Sequence, residues 1–467
     1  MKPTDWQRSQ PYKLNSISMI FRPTLSILVI TLATIVPVRG QVTGVPAGGE
    51  QKELSLQGAV EKALQNNYGI IISRGDLEVA GINNHWGNAG RYPTIGFDAS
   101  NNTGVELYTS NLSNRTSTGI GLNWTLFDGF RVNITKSRLE DLEDLASGRL
   151  AVVIESTIED IVLGYYNVLL QQEFLEVLRT VMDLSDDRYR FELRRQELGG
   201  AVTYDVLQAQ NVYLSDKASF MSQEVAVRNA VRNLNFMMGE EPGRRWDFTE
   251  KFVADTTSYS LEDLLTRMKS GNQSLKNQYT NLLLTEKETA LRKSDFYPSV
   301  SLGAGMETSH TLSRSPGESS YLNKTLSPYG NVRLSFDIYS AGTRRRAMEV
   351  ARIGEDIARV ETGQMEHALA NELFNLYDYY QVRIALLEVA VENLEAASLN
   401  LTISEEKYRT GVINSFNYRD VQLIYLNAAV RRLDAIYDLI DSRTQLTRIT
   451  GGFVRPEEGL ESFPRIP

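Results

Sequence analysis

Two-residue alternation between apolar and polar side chains marks four segments, residues 94–100, 119–126, 299–306 and 332–339. One face of each segment carries mostly large apolar side chains, and the other carries small or polar ones. The pattern predicts four β-strands arranged as two pairs. A transmembrane barrel with a wet interior gives this alternation, and so does a half-buried sheet in a soluble α+β protein.

Strand length and flanking residues favour the membrane. With their flanking residues, the predicted strands reach the ten or so residues that a tilted membrane strand requires, and the connections 110–117 and 309–327 are polar. Aromatic residues lie near the strand ends, as in membrane-interface belts; they are Tyr92, Phe127, Tyr297 and Tyr339. The side chains predicted to face lipid are Phe97, Leu122, Trp124, Leu302, Leu334 and Phe336. Because the smallest usual membrane barrel has about eight strands, four strands require a symmetric oligomer.

Helical spacing of apolar residues replaces the alternation over about residues 131–198 and 343–410, where proline is absent. Each stretch would form a helix of roughly 100 Å at about 1.5 Å per residue. Apolar residues recur at steps of three and four, with Arg383 as a polar member of the seam. In the second copy the helix that follows shows the same steps, so each long helix is predicted to form an antiparallel coiled pair with its successor.

Glycine-containing links join the helices of each predicted pair, at residues 198–203 and 410–415. Glycine permits the left-handed turn that ends a helix, and Thr203 or Ser415 can cap the helix that follows. Shorter helices are expected before the strands; they cover residues 57–66, 68–90, 262–270 and 274–294.

These elements occur twice in the same order. Gly199 and Gly239 of the first copy correspond to Gly411 and Gly451 of the second, and Tyr-Pro precedes the first strand of both copies. The offset between the copies is 205 residues before the first strand and 212 residues after it. A repeat that keeps its order with one change of length indicates a duplicated unit. The unit reads helix, helix, strand, strand, long helix, helix.

The duplication divides the chain into six predicted segments. They are a signal peptide (1–40), an N-terminal extension (41–53), the first repeat (54–239), an equatorial linker (240–259), the second repeat (260–451) and a C-terminal tail (452–467). The first segment has basic residues followed by a short apolar run at 25–36, which is typical of a secretory signal. A retained membrane anchor is the alternative.

Charge and composition exclude several classes of function. Removing residues 1–40 would take away five basic residues and one acidic residue and change the net charge from -9 to about -13, which disfavours nucleic acid as a partner. Cysteine is absent, so thiolate metal sites and disulfides are excluded. His85, His310 and His367 lie on different predicted elements, and no nucleophile has an adjacent base. We therefore expect neither an enzyme nor a cofactor.

The ordered, doubled pattern resembles the TolC-like outer-membrane factor family over about residues 54–452. The resemblance rests on Tyr-Pro before each strand pair, on the strand-to-helix junctions 126–129 (Leu-Phe-Asp-Gly) and 338–342 (Ile-Tyr-Ser-Ala-Gly), and on the doubled glycine turns. It implies an α+β membrane protein, in which three protomers form a twelve-strand β-barrel that continues into a twelve-helix α-barrel.

The resemblance also implies location, partners and site residues. The homotrimer would lie in outer-membrane lipid of a Gram-negative bacterium, with its helical body in the periplasm, and would contact a periplasmic adaptor (membrane fusion) protein and an inner-membrane transporter. The adaptor-contacting turns fall on Gly199, Gly200, Ala201, Val202, Gly411, Val412 and Ile413. The periplasmic gate falls on Asn417 and Asp420, with Asp205 at the equivalent place in the first copy. These aspartates could instead simply favour the helix dipole.

Two functions of different class follow. The first is a passive, porin-like export duct of a tripartite efflux pump or a type I secretion system. The second is a periplasmic or surface coiled-coil structural protein without a channel. The alternating strands favour the duct, because a coiled-coil spacer has no need to present Trp124, Leu302 and Phe336 outward.

Overall fold

The computed structural model describes residues 52–106, 111–315, 317 and 319–453. The predicted signal peptide and most of the predicted tail lie outside the described residues. The elements, in chain order, are β1 (Lys52–Leu54), α1 (Leu56–Asn66), α2 (Tyr68–Asn83), β2 (Thr94–Glu106), β3 (Asn111–Asp128), α3 (Arg131–Glu197), α4 (Thr203–Met237), β4 (Trp246–Phe248), α5 (Leu261–Gly271), α6 (Gln273–Ser294), β5 (Ser299–Arg314), β6 (Tyr321–Ser335), α7 (Thr343–Arg409) and α8 (Ser415–Ile449).

The two halves match element by element. Helices α3 and α7 have 67 residues each, and α4 and α8 have 35 residues each. The long helices start and end within one residue of their predicted limits because nothing in these stretches interrupts the helical hydrogen bonds. Among the described residues, none of the helices combines the length and the apolar character that a membrane crossing needs.

Strands β2, β3, β5 and β6 form one antiparallel sheet in that order. The register places Ile95 opposite Leu122, and Trp124 opposite Leu302, which in turn lies opposite Val332. Directly opposite residues share a face of a sheet, so the large apolar side chains of all four strands lie on one face. The outer edges of β2 and β6 have no partner strand within the described part of the chain.

The strands are longer than predicted, and the predicted polar connections 110–117 and 309–327 are wrong for most of their length. Between the strands of each pair only residues 107–110 and 315–320 are left. The polar side chains pair across the strands: Asn101 Nδ2 donates to Thr116 Oγ1 over 2.6 Å, and the hydroxyls of Ser100 and Ser117 are 2.8 Å apart. The predicted connections rested on the polarity of these side chains, although threonine fits a pleated strand well.

Two element ends and the register of one strand also differ from the prediction. Helix α2 ends at Asn83 instead of residue 90, since Asn88 Nδ2 binds the carbonyl of Asn83 and Gly90 has a φ of 85°. A bulge between Thr125 and Phe127 shifts the register of β3, so the simple alternation through residue 126 is broken. Strand β6 stops at Ser335, which leaves the predicted lipid-facing Phe336 just beyond its end.

The helices form two layers that follow the order of the strands. Next to the sheet, α2 lies beside α3, α3 beside α6, and α6 beside α7. Farther from the sheet the order is α4, α3, α8, α7. In the sheet and in both helix layers, one outer edge is therefore an element of the first half. The other outer edge is an element of the second half.

The largest apolar cluster lies where the layers meet. Tyr165 of α3 is fully buried there, and its hydroxyl donates to the Leu54 carbonyl over 2.9 Å and hydrogen-bonds to Glu250. Leu54 belongs to β1, which pairs in parallel with β4. This short sheet was not predicted, because three residues are too few to show a period.

A buried carboxyl group lies on α3 near this cluster. Glu155 is almost fully buried, and its Oε1 has no hydrogen-bond partner within the described residues. Burial raises the pKa of Glu155 to about 7, although the charges of Arg448 and Lys276 act in the opposite direction.

We predict that Glu155→Gln raises the thermal unfolding midpoint above about pH 7 and leaves it unchanged below about pH 4.5. Between these values the folded chain holds the proton that the unfolded chain has lost, so wild-type stability falls as the pH rises. Far-UV circular dichroism of the purified protein measures the midpoint. Glu173→Gln, at an exposed position of the same helix, is the matched control; equal pH profiles for the two variants would contradict the assignment.

Candidate functional site

Both helical hairpins turn through the same backbone motif. After α3, the Gly200 amide donates to the Arg195 carbonyl over 2.7 Å and the Gly199 amide donates to the Gln196 carbonyl over 2.9 Å. After α7, Val412 and Gly411 donate in the same way to Lys407 and Tyr408 over 2.8 and 3.0 Å. This pattern is a Schellman motif, whose C′ residue takes the left-handed conformation. Gly199 and Gly411 have φ values of 78° and 77°.

The turns present apolar side chains to solvent. Val202 is 63% exposed and Val412 is 70% exposed. Ile413 differs, because it is partly buried against the cluster of Leu401, Tyr408 and Tyr418. The predicted turn residues therefore divide into an exposed apolar tip and an inner support.

The predicted helix caps are wrong by one residue. Thr203 and Ser415 are the first residues of α4 and α8, and the N-cap positions belong to Val202 and Asn414. The Asn414 side chain accepts the amide of Asn417 over 2.9 Å, as an N-cap asparagine commonly does. Thr203 Oγ1 instead accepts from Gln196 Nε2 over 3.0 Å and so ties the two helices of its hairpin together.

The three predicted gate residues lie in the first two turns of the returning helices. Asn417 and Asp420 are exposed and three residues apart on α8, and Asp205 is half-buried at the equivalent place of α4. Residues three apart share a helix face. Among the described residues, no hydrogen bond or ion pair joins the side chains of these three to one another.

An ion pair that the sequence did not reveal lies beside Asp420. The Arg419 guanidinium donates to both carboxylate oxygens of Asp216, each over 2.8 Å, and so joins α8 to α4. Both side chains are mostly buried. The partners are 203 residues apart in the chain, so local sequence spacing could not pair them. The one available sequence signal was a charged residue in an apolar helix seam.

A second polar group ties α3 to α7 near the same end. The Tyr408 hydroxyl donates to Glu192 Oε1 over 2.6 Å, and the Tyr408 ring stacks on Tyr418 at 4.9 Å. Burial and the hydrogen bond to Glu192 raise the pKa of Tyr408, so the hydroxyl keeps its proton at neutral pH. Buried Arg188 lies in the same region, and burial lowers its pKa, with the Arg419 charge adding to the effect.

The predicted lipid-facing residues lie at the opposite end of the molecule. Phe97, Trp124 and Leu334 are exposed on the shared apolar face of the sheet, and Leu122 and Leu302 on the same face are partly exposed. Trp124 Nε1 donates to the Arg91 carbonyl over 2.9 Å at the sheet end nearest the helices. An indole with its apolar body outward and its N–H satisfied is typical of a membrane interface.

A comparison with protein families matches residues 59–240 and 264–452 to the outer membrane efflux protein family. The two matched stretches fall on the two halves of the fold. The chain belongs to this family and is an efflux channel protein of the Gram-negative outer membrane, with its helical body in the periplasm. A comparison with curated protein sequences gives no significant match.

Solved structures share the fold at low sequence identity. CusC, studied for its folding and transmembrane channel formation, aligns at a TM-score of 0.70 and 16% identity, covering 88% of this chain and 96% of its own. The CmeC outer membrane channel of Campylobacter jejuni aligns at 0.68 and 16%, covering 86% and 87%. VceC, an outer membrane protein of Vibrio cholerae, aligns at 0.67 and 15%, covering 85% and 96%.

We predict that Arg419→Gln and Asp216→Asn each lower the opening free energy of the hairpin ends by about 1.5–3 kcal/mol, because each leaves a mostly buried charge without its partner. The double variant should lose less than the sum of the two losses. Hydrogen exchange of the amides in α4 and α8 measures the opening. The exposed pair Arg409–Glu405 is the control, expected to contribute at most about 0.5 kcal/mol; additive losses at Arg419 and Asp216 would show that the two residues act independently.

Proposed function

We propose that three copies of this chain close into a passive export duct, whose periplasmic tips dock an adaptor protein that connects it to an inner-membrane pump. The single observation that carries the proposal is the matching order of edges in the sheet and in both helix layers. One edge always belongs to the first half and the other to the second half. The first-half edge of one copy can therefore meet the second-half edge of the next copy. This is a heterologous contact that closes into a ring.

The sheet supports closure most directly. Its edge strands β2 and β6 carry backbone donors and acceptors along 13 and 15 residues. In lipid such groups must be paired, which leaves a closed barrel as the stable arrangement. Three copies of a four-stranded sheet give twelve strands, within the range of outer-membrane barrels.

The duplication predicts the side-chain contacts between copies. Inside one chain, Gly148 of α3 lies against Asn277 of α6, and Asp141 pairs with Lys287 across the same helices. Applying the offsets of 212 and 205 residues, the equivalent contacts between α7 of one copy and α2 of the next join Val360 to Ile72 and Ile353 to Ile82. All four side chains are large, apolar and more than half exposed in the single chain. Burying such a stripe stabilises a subunit interface.

The tips supply the docking surface in this proposal. Exposed Val202 and Val412 crown two rigid glycine turns in each copy, so a trimer would present six such tips. The adaptor would contact Gly199, Gly200, Ala201 and Val202 at one turn and Gly411, Val412 and Ile413 at the other. Three Asp420 carboxylates near the axis, with Asp205 close by, would form a negative ring that favours cations.

The predicted subunit contact can be tested with cysteines, which the natural chain lacks. Oxidised Ile72→Cys/Val360→Cys protein should migrate as covalent dimers and trimers, because a disulfide requires Cα atoms within about 7 Å. Ile82→Cys/Val360→Cys, displaced by ten residues or about 15 Å along α2, is the mismatched control. Denaturing electrophoresis without reductant reports the result, and a monomer from the matched pair would refute this edge-to-edge assembly.

Docking can be separated from assembly at the tips. Val202→Glu with Val412→Glu should reduce efflux at least tenfold while trimers and outer-membrane location persist, since an unpaired charge in an interface costs about 2–5 kcal/mol. Retention of a fluorescent pump substrate measures efflux in cells that hold the adaptor and pump. Ser219→Glu, an exposed position away from the turns, should export normally; loss of the trimer in the tip variant would mean that the turns serve folding.

A further inference from the structure

A groove with a volume of about 1010 Å³ runs between α6 and α7, next to the sheet. Phe296 and Tyr297, which lie just before β5, line its sheet end together with Lys293 and Arg345. The groove then continues along both helices toward Glu286 and Arg359. It therefore combines aromatic and basic side chains at the level where the strands join the helices.

Charge is distributed unevenly along this groove. At the far end, Arg359 is paired with Glu286, Glu355 and Asp356. At the sheet end, Lys293, Arg345 and Arg352 form no ion pair within the described residues, and Glu349 is the one carboxylate among them. The sheet end therefore carries a net positive charge that the protein itself does not neutralise.

Arg344 lies between the groove and the residues that follow β6. The Arg344 guanidinium lies 5.8 Å from the Phe296 ring and 5.9 Å from the Phe336 ring. Phe336 follows Leu334 of the apolar face by two residues, just beyond the end of β6, while Phe296 lines the groove. Arg344 thus connects the groove to the side of the sheet that faces lipid.

The basic residues of the groove and the proposed subunit edge lie on adjacent faces of α7. At 100° per residue, Arg345, Glu349 and Arg352 lie within about 60° of one another on α7. The stripe proposed to meet the next copy, which includes Ile353 and Val360, is centred about 60° away from them. The groove and the subunit edge are therefore neighbouring faces of the helix, with Glu349 between them.

The depth of the basic residues matches a lipid headgroup layer. Headgroups occupy about 5–7 Å on each side of the hydrocarbon core. At about 1.5 Å per residue, Arg345 lies about 3 Å from the start of α7. Arg352 and Arg359 lie about 10 Å and about 21 Å beyond Arg345. Lys293 and Arg345 are within reach of a headgroup phosphate, whereas Arg359 lies well below it.

We propose that the sheet end of this groove binds the phosphate headgroup of an anionic phospholipid from the periplasmic leaflet, with Lys293 and Arg345 as its cationic contacts and Phe296 and Tyr297 against the glycerol and upper acyl chain. This inference rests on the proposed function, because it requires the sheet to lie in the membrane. Basic pockets beside membrane-spanning segments bind such headgroups. The chain has no cysteine to carry a covalent lipid. A bound phospholipid would therefore add a second attachment to the membrane besides the sheet.

Native mass spectrometry of the purified full chain tests the proposal by titration with phosphatidylglycerol and phosphatidylethanolamine of identical acyl chains. The wild-type trimer should prefer phosphatidylglycerol, and Lys293→Gln/Arg345→Gln should weaken its binding by about 30-fold, as expected for two basic contacts. Arg228→Gln/Arg431→Gln removes the same charge at exposed positions of α4 and α8 and should bind like wild type.

The proposal would be overturned by equal binding of the two lipids by wild type, by unchanged binding by the groove variant, or by equal weakening in the control variant. Displacement of the lipid by excess soluble glycerol phosphate would identify a free phosphate as the ligand and overturn the lipid assignment. The same spectra report subunit number. A trimer without lipid preference refutes this inference alone, whereas a monomer refutes the proposed assembly.

Discussion

Unpaired backbone edges on β2 and β6 are the constraint on which the remaining structure depends. A sheet whose apolar face carries Phe97, Trp124 and Leu334 belongs in lipid, and lipid offers no partner for exposed amides and carbonyls. The edges must therefore meet another sheet, and the duplication ensures that helices α2, α4 and α7 reach the same boundary. Strand pairing, helix packing and oligomer formation thus become a single geometric problem.

The contacts within the chain and those proposed between chains are equivalent in position but differ in chemistry. Inside the chain, the α3–α6 seam contains Asp141 with Lys287 and a glycine that accommodates Asn277. The corresponding residues of the outer seam, such as Ile353 and Ile82, are apolar. Polar pairs fix the register of the helices within one chain. Apolar contact suits surfaces of separate copies that associate after folding.

Much of the architecture could be predicted from the sequence because duplication repeats every signal. The long helices are free of proline, and glycine marks both hairpin turns, so their limits were predictable from Arg131 to Gly199. Strand length was not, since Ser100, Asn101 and Thr116 look like loop residues until their cross-strand partners are known. The Arg419–Asp216 pair was also out of reach, because it depends on how two distant helices pack.

Exposed stripes and edges have a consequence for the life of a newly exported copy. Before assembly, that copy carries the strand edges of β2 and β6 and the apolar rows containing Ile72 and Val360 through an aqueous compartment. Such surfaces bind one another without specificity and aggregate. An unassembled copy is therefore an aggregation-prone intermediate. Its solubility depends on rapid association with other copies of the chain or on a chaperone that shields it during transit.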